Sequence, residues 1–203
     1  MDLELLVYGL DLVSTFAFAL VGARVAANKG LDYGGILLIA AIASISGGTL
    51  RNIFVGQRPP WILHPWLFFP IIAAVIITIA IGKKQEVGRL ALSLDTLGLG
   101  VATVSSAQFA LTHGAPFLAA LVLAIVGAVS GGLLRDILCQ VQPVLLHRET
   151  IGTSALAGAL VYLLLAKFNI NELAAAIISG LSVVLVREVS IKLNWNLPKV
   201  VSR

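Results

Sequence analysis

Five charged residues stand inside stretches that are otherwise apolar: Asp11, Arg51, Asp95, Arg135 and Asp136. Their chemistry is that of charge where charge is costly. An Arg at mid-bilayer costs about 2.5–3.5 kcal/mol even on the lenient insertion scale, so it faces a partner or a water-filled cavity. Asp11 and Asp95 read as counter-ions for the arginines or as a wall that attracts cations. Four Arg–Asp pairings exist, and sequence does not choose among them. Each Arg belongs to a short motif, SGGTLRN over Ser46, Gly47, Gly48, Arg51 and Asn52, and SGGLLRD over Ser130, Gly131, Gly132, Arg135 and Asp136. Two adjacent glycines permit a helix break or a close approach of backbones. The Arg three and four residues later lies on their face. The plainer alternative is tight helix packing, with the Arg reaching to the interface. Asn52 is neutral where Asp136 is a carboxylate, so the two motifs are expected to differ electrostatically.

Catalytic patterns are weak. His64, His113 and His147 show no HExxH spacing, no Cys pair accompanies them, and a GxSxG elbow is absent. No enzyme activity, cofactor or metal is expected. Cys139 is the single cysteine, so no intrachain disulfide forms, and its apolar surroundings suit a small hydrophobe. The histidines read as interfacial, with Trp61, Trp66 and Trp195 as aromatic-belt residues. Pro59-Pro60 and Pro143 are expected to end the second and fifth helices.

The motifs are placed by a duplication. Asp11 and Asp95, Gly30 and Gly114, Ser46 and Ser130, Gly47 and Gly131, Gly48 and Gly132, and Arg51 and Arg135 all lie 84 residues apart. The elements that carry them follow from composition. Of 203 residues, 59% are apolar and 12% charged, against about 25% charged in ordinary soluble domains. Mean hydropathy is +1.00. A soluble domain of this size cannot hide so much apolar surface. A soluble enzyme, a disordered chain and a nucleic-acid-binding module are therefore excluded, and the pI of about 9.5 reads as cytoplasmic loop charge. The apolar runs are continuous rather than alternating, which favours helices over a β-barrel. The N-terminus lacks a basic region before its first apolar run, so that run is expected to remain as a span.

Spans of about 20 residues divide the chain into an all-α, polytopic membrane protein with seven transmembrane helices. They fall near 5–27, 34–56, 66–82, 90–111, 115–138, 151–166 and 173–193. Residues 5–82 form repeat one, 90–167 repeat two, and 172–193 the seventh helix, all in one membrane domain. Three spans per copy turn the second copy upside down, an inverted three-plus-three repeat. With the N-terminus outside, ten Lys and Arg fall inside and two, Arg58 and Lys167, outside. The ten include Arg187, on a seventh-helix end expected to reach the interface or water. Helix interruptions are expected at Gly47-Gly48 and Gly131-Gly132.

Two three-helix units, each with GGxxR followed by Asn or Asp, plus a seventh helix, resemble the prokaryotic TRIC proteins, the trimeric intracellular cation channels. The resemblance covers about Leu5 to Leu193. It implies a homotrimer in a prokaryotic inner membrane, with one pore per protomer for monovalent cations, chiefly K⁺. The implied pore runs beside the glycine-rich breaks of the second and fifth helices. Lipid and the chain's own copies are the partners, and nucleic acid is not. The same domain also bears the label of a glycine transporter, so transport of a small solute is the rival. Candidate oxygens for a cation are carbonyls at the glycine breaks, the hydroxyls of Ser14, Thr15, Ser46 and Ser130, and Asp136.

Overall fold

The computed structural model describes residues 3–82, 89–142 and 150–193. Lys83, Lys84, Pro143, His147, Arg148, Trp195, Lys199 and Arg203 lie outside them. Eight α-helices are described: α1 (Leu3–Asn28), α2 (Tyr33–Phe54), α3 (Pro60–Leu63), α4 (Phe68–Ile81), α5 (Arg89–Thr112), α6 (Phe117–Leu138), α7 (Thr150–Lys167) and α8 (Glu172–Lys192). A 3₁₀ turn, Pro65–Leu67, leads into α4. Seven are long, and α3 is a single turn. Four stretches are both long and apolar enough to cross a membrane: Tyr8–Asn28, Tyr33–Phe54, Phe117–Leu138 and Glu172–Lys192. Pro65–Ile81 and Ile151–Lys167 are apolar but shorter. Helix α5 falls outside both groups because it carries Thr96, Thr103, Ser105, Ser106 and Gln108, all buried. Its polar groups face protein, so its composition understates how well it suits the interior. Outward positions are apolar, including Leu38, Ile76, Leu118, Val122 and Leu185.

The two copies pack alike. Helix α1 lies on α2 as α5 lies on α6, α1 on α4 as α5 on α7, and α2 on α4 as α6 on α7. The copies meet through α2 against α6 and α1 against α5. Helix α8 has no counterpart and packs on α7 and α5. Small residues allow these approaches, since in lipid helices associate by close packing rather than water exclusion. Gly22 on α1 faces Ala43 on α2, where an added Cβ would stand 2.9 Å from the Ala43 Cβ. In the second copy the small partner changes sides. Gly127 on α6 faces Ser106 on α5, and a Cβ there would stand 2.2 Å from the Ser106 Oγ.

Two expectations are corrected here. Helices α2 and α6 run without interruption through Gly47-Gly48 and Gly131-Gly132. Gly47 and Gly131 instead serve close approach. A Cβ on Gly47 would lie 2.0 Å from the Gly127 carbonyl oxygen, and one on Gly131 would lie 2.0 Å from the Ala43 carbonyl oxygen. Position 127 is 43 plus 84, and 131 is 47 plus 84, so the contact is reciprocal between copies. Second, Pro59-Pro60 does not end α2. The helix stops at Phe54, Gly56 turns left-handed at φ 75, and the Gln57 N–H donates to the Asn52 carbonyl at 2.8 Å. That is a Schellman stop. Pro60 begins α3.

Candidate functional site

The two arginines are buried and paired. Arg51, on the last turn of α2, is 2% exposed. Its Nη1 and Nη2 donate to the two carboxylate oxygens of Asp11 on α1 at 3.1 and 2.9 Å. This fork-on-carboxylate geometry is the strongest an Arg makes. Ser105 on α5 closes the triangle: its hydroxyl accepts from Nη1 at 2.8 Å and donates to Asp11 Oδ1 at 2.5 Å. Nε donates to Asn52 Oδ1 at 2.9 Å, and the Asn52 amide donates to the Arg58 carbonyl at 2.8 Å. The guanidinium also lies 4.3 Å from the centre of the Phe109 ring, within cation–π range.

The second cluster repeats this plan at the opposite ends of the mated helices. Arg135 Nη1 donates to Asp95 Oδ1 at 2.9 Å, and Nε donates to Asp136 Oδ1 at 2.8 Å. The hydroxyl's place is taken by a third helix. Arg187 on α8 donates from Nη2 to Asp95 Oδ2 at 2.8 Å. At 1% exposure, Arg187 is not the interfacial or aqueous charge expected from its sequence position, and it leaves the positive-inside tally at nine to two. The two clusters differ in composition, as the Asn52 and Asp136 pair leads one to expect, yet each holds as many carboxylates as guanidiniums. Among the described residues, Asp136 adds a negative charge that Asn52 lacks, and Arg187 adds a positive one.

A line of cavities passes both clusters. The first holds about 490 Å³ and is lined by Tyr8, Asp11, Arg51, Asn52, Gln57, Pro60, Leu63, His64, Leu67, Phe109, Thr112 and His113. It shares Asp11 and Arg51 with a second void of about 20 Å³, bounded by Ser14, Phe18, Ala43, Ser44, Gly47, Gly48, Ala102, Ser106, Gly127 and Gly131. Phe18 is common to that void and a third of about 20 Å³, lined also by Asp95, Leu99, Ala128, Val129, Gly132, Leu133, Arg135, Asp136 and Ile151. Voids of this size hold about one water each. A recess of about 530 Å³ beside the first cavity, bordered by Gln108, Tyr162 and Glu172 among others, touches neither cluster.

Ten of the twelve candidate residues thus line these three cavities. Ser46 and Ser130 do not. The Ser46 hydroxyl is buried without a hydrogen-bond partner among the described residues, and Ser130 donates to the Val126 carbonyl within its own helix. Trp61 is tied inward, its Nε1 donating to Thr49 Oγ1 at 3.0 Å, whereas Trp66 is 56% exposed. His64 and His113 line the first cavity. Sequence reasoning missed Phe18, Ser105, Phe109 and Arg187. A signal existed for the last: Ser179, Val183, Arg187 and Ser190 are all buried and recur at helical spacing.

These features define a multi-pass α-helical membrane protein built from two copies of one unit. A family model described as "Glycine transporter" matches it twice, over residues 8–83 and 92–167. A UPF0126 membrane protein of Deinococcus radiodurans is 31% identical over 155 residues, spanning 74% of this chain and 72% of the relative. The UPF0126 inner membrane protein YadS of Escherichia coli is 27% identical over 161 residues, 78% of each chain. Among solved structures, the TRIC trimeric intracellular cation channel orthologue from Rhodobacter sphaeroides superposes with TM-score 0.87 at 29% identity, covering 93% of this chain and 98% of that one. A TRIC channel solved to explain conductance gives TM-score 0.83 at 29% identity, with 96% and 97% covered. The chain belongs to the family that this model describes and, with it, to the prokaryotic TRIC proteins.

Proposed function

We propose that this protein is a monovalent cation channel, chiefly for K⁺, working as a homotrimer with one pore per protomer in a prokaryotic inner membrane. The line of three cavities through the two charge clusters carries the reading. A cation path needs carboxylates or oxygen dipoles and must not present bare positive charge. Arg51 and Arg135 meet the second condition because each is engaged by carboxylate. Asp11, Ser14, Ser44 and Ser106 supply oxygens on one side, and Asp95 and Asp136 on the other. The path runs beside Gly47-Gly48 and Gly131-Gly132, with Gly47 and Gly131 bringing α2 and α6 together rather than freeing carbonyls. The reading includes seven spans, an inverted repeat, the N-terminus outside and the C-terminus in the cytoplasm. The reciprocal contact of Gly47 and Gly131 supports the inversion, since a two-fold relation pairs i with j and j with i. The chemistry is passage, with no bond made or broken.

The family model's description favours one rival, carriage of a small solute such as glycine, for which inverted repeats are equally suited. Planar-bilayer recording of the purified protein separates them. Unitary K⁺ currents are expected. Saturable glycine uptake into liposomes without unitary events would overturn the channel.

A further inference from the structure

We propose that Phe18 is the barrier that closes this pathway, its ring filling the gap between the second and third voids. The proposal deepens the channel reading and rests on it. Phe18 is 6% exposed and borders both voids. The ring tip lies against Gly98 of α5, where an added Cβ would stand 3.3 Å from both Cε1 and Cζ. The ring belongs to an apolar cluster with Leu99, Ala102, Ala128 and Ile151. On one side stand Asp11, Ser14 and Ser106; on the other stand Asp95, Arg135 and Asp136. The sequence along the path is therefore polar, apolar, polar. Apolar constrictions stop ions by excluding their water, and a void of one-water size leaves a hydrated ion no way around the ring.

The duplication isolates this residue. The position 84 residues on is Ala102, which borders the same void from α5. Where the copies face each other, one supplies a ring and the other a methyl group. The closure is thus carried by α1 alone.

Two readouts test it on the full-length trimer in lipid. Removing a buried ring removes the packing that favours the closed arrangement, so Phe18→Ala is expected to raise open probability about tenfold or more. Phe18→Leu is expected to give a smaller rise and serves if the Ala variant fails to assemble. Open probability unchanged from wild type in an assembled Phe18→Ala or Phe18→Leu trimer would overturn the proposal. The second readout needs no current. In liposomes of a Ser14→Cys, Cys139→Ala protein, Ag⁺ is added only on the side of the third void. Modification of Cys at position 14 is expected to run about tenfold faster or more when Phe18 is also replaced by Ala than when the ring is present. Equal modification with and without the ring sinks the barrier even if the protein conducts. A wild type without unitary current but with this contrast intact counts against the channel reading alone.

Discussion

Replacing Gly47 by Ala tests what the paired glycines do. The new Cβ would stand 2.0 Å from the Gly127 carbonyl oxygen. Ordinary contact begins near 3.4 Å, and the obstacle is backbone, which no side-chain rotation clears. Helices α2 and α6 must separate by about 1 Å at their crossing, and overpacking of that kind costs about 1–3 kcal/mol. Ala returns about 1 kcal/mol of helix propensity, which offsets part of the loss. At Gly48 the nearest atom is Pro60 Cγ at 3.4 Å, and at Gly132 it is Arg135 Nη2 at 3.7 Å. There only the propensity gain acts, so Gly48→Ala and Gly132→Ala are expected to be neutral or slightly stabilising. Gly131→Ala should match Gly47→Ala, because its Cβ meets the Ala43 carbonyl oxygen at 2.0 Å. The double variant Gly47→Ala, Gly131→Ala should cost less than the sum, since one separation of the helices relieves both clashes. Thermal unfolding in detergent, followed by size-exclusion fluorescence, reads the effect. A chain of this size loses about 2–4 °C per kcal/mol, so Gly47→Ala is expected to melt several degrees lower. If Gly48→Ala and Gly132→Ala lose as much as their neighbours, the glycines act through backbone flexibility, and the close-approach account is refuted.

Further outcomes follow from the charge clusters and the lone thiol. Asp11→Asn leaves Arg51 buried with an uncompensated charge and is expected to cost about 3–5 kcal/mol, read as a lower melting temperature that 0.5 M salt does not mimic in the wild type. Arg187→Gln is expected to cost a similar amount by leaving Asp95 and Asp136 under-compensated; adding Asp136→Asn, which copies Asn52, should recover part of it, and no recovery would count against charge matching. Arg51→Lys cannot keep the fork on Asp11 together with the bond to Asn52, so its melting temperature should fall between those of wild type and Arg51→Ala. Cys139 is 5% exposed, so a membrane-impermeant maleimide should leave it unlabelled until the protein is denatured; rapid labelling in intact vesicles would contradict its burial.

The helices were legible because apolar runs of spanning length announce themselves, and the duplication was legible because six positions recur at one spacing. The pairing of Arg51 with Asp11 and of Arg135 with Asp95 was one of several arrangements open to sequence, because it depends on how helices lean rather than on their order. Arg187 was hidden by its neighbours Glu188 and Lys192, which made a buried cation look like the start of an aqueous tail. Phe18 was invisible for the opposite reason: one more apolar side chain in an apolar helix carries no mark of where it points. The glycine motif was found for its softness, yet its use is steric. A Gly-Gly pair inside a helix reads the same whether the backbone bends there or another backbone comes near.

The reciprocal crossing of α2 and α6 has a consequence for what each copy is free to change. A contact in which each copy offers the other the same surface ties two sequence positions to one requirement. At this crossing Gly47 and Gly131 answer to the same backbone approach, seen once from each side. Away from it the copies differ: one ring instead of two, an amide opposite a carboxylate, and an eighth helix lending an arginine to one end only. The two ends of this molecule are told apart by side chains that lie off the shared crossing.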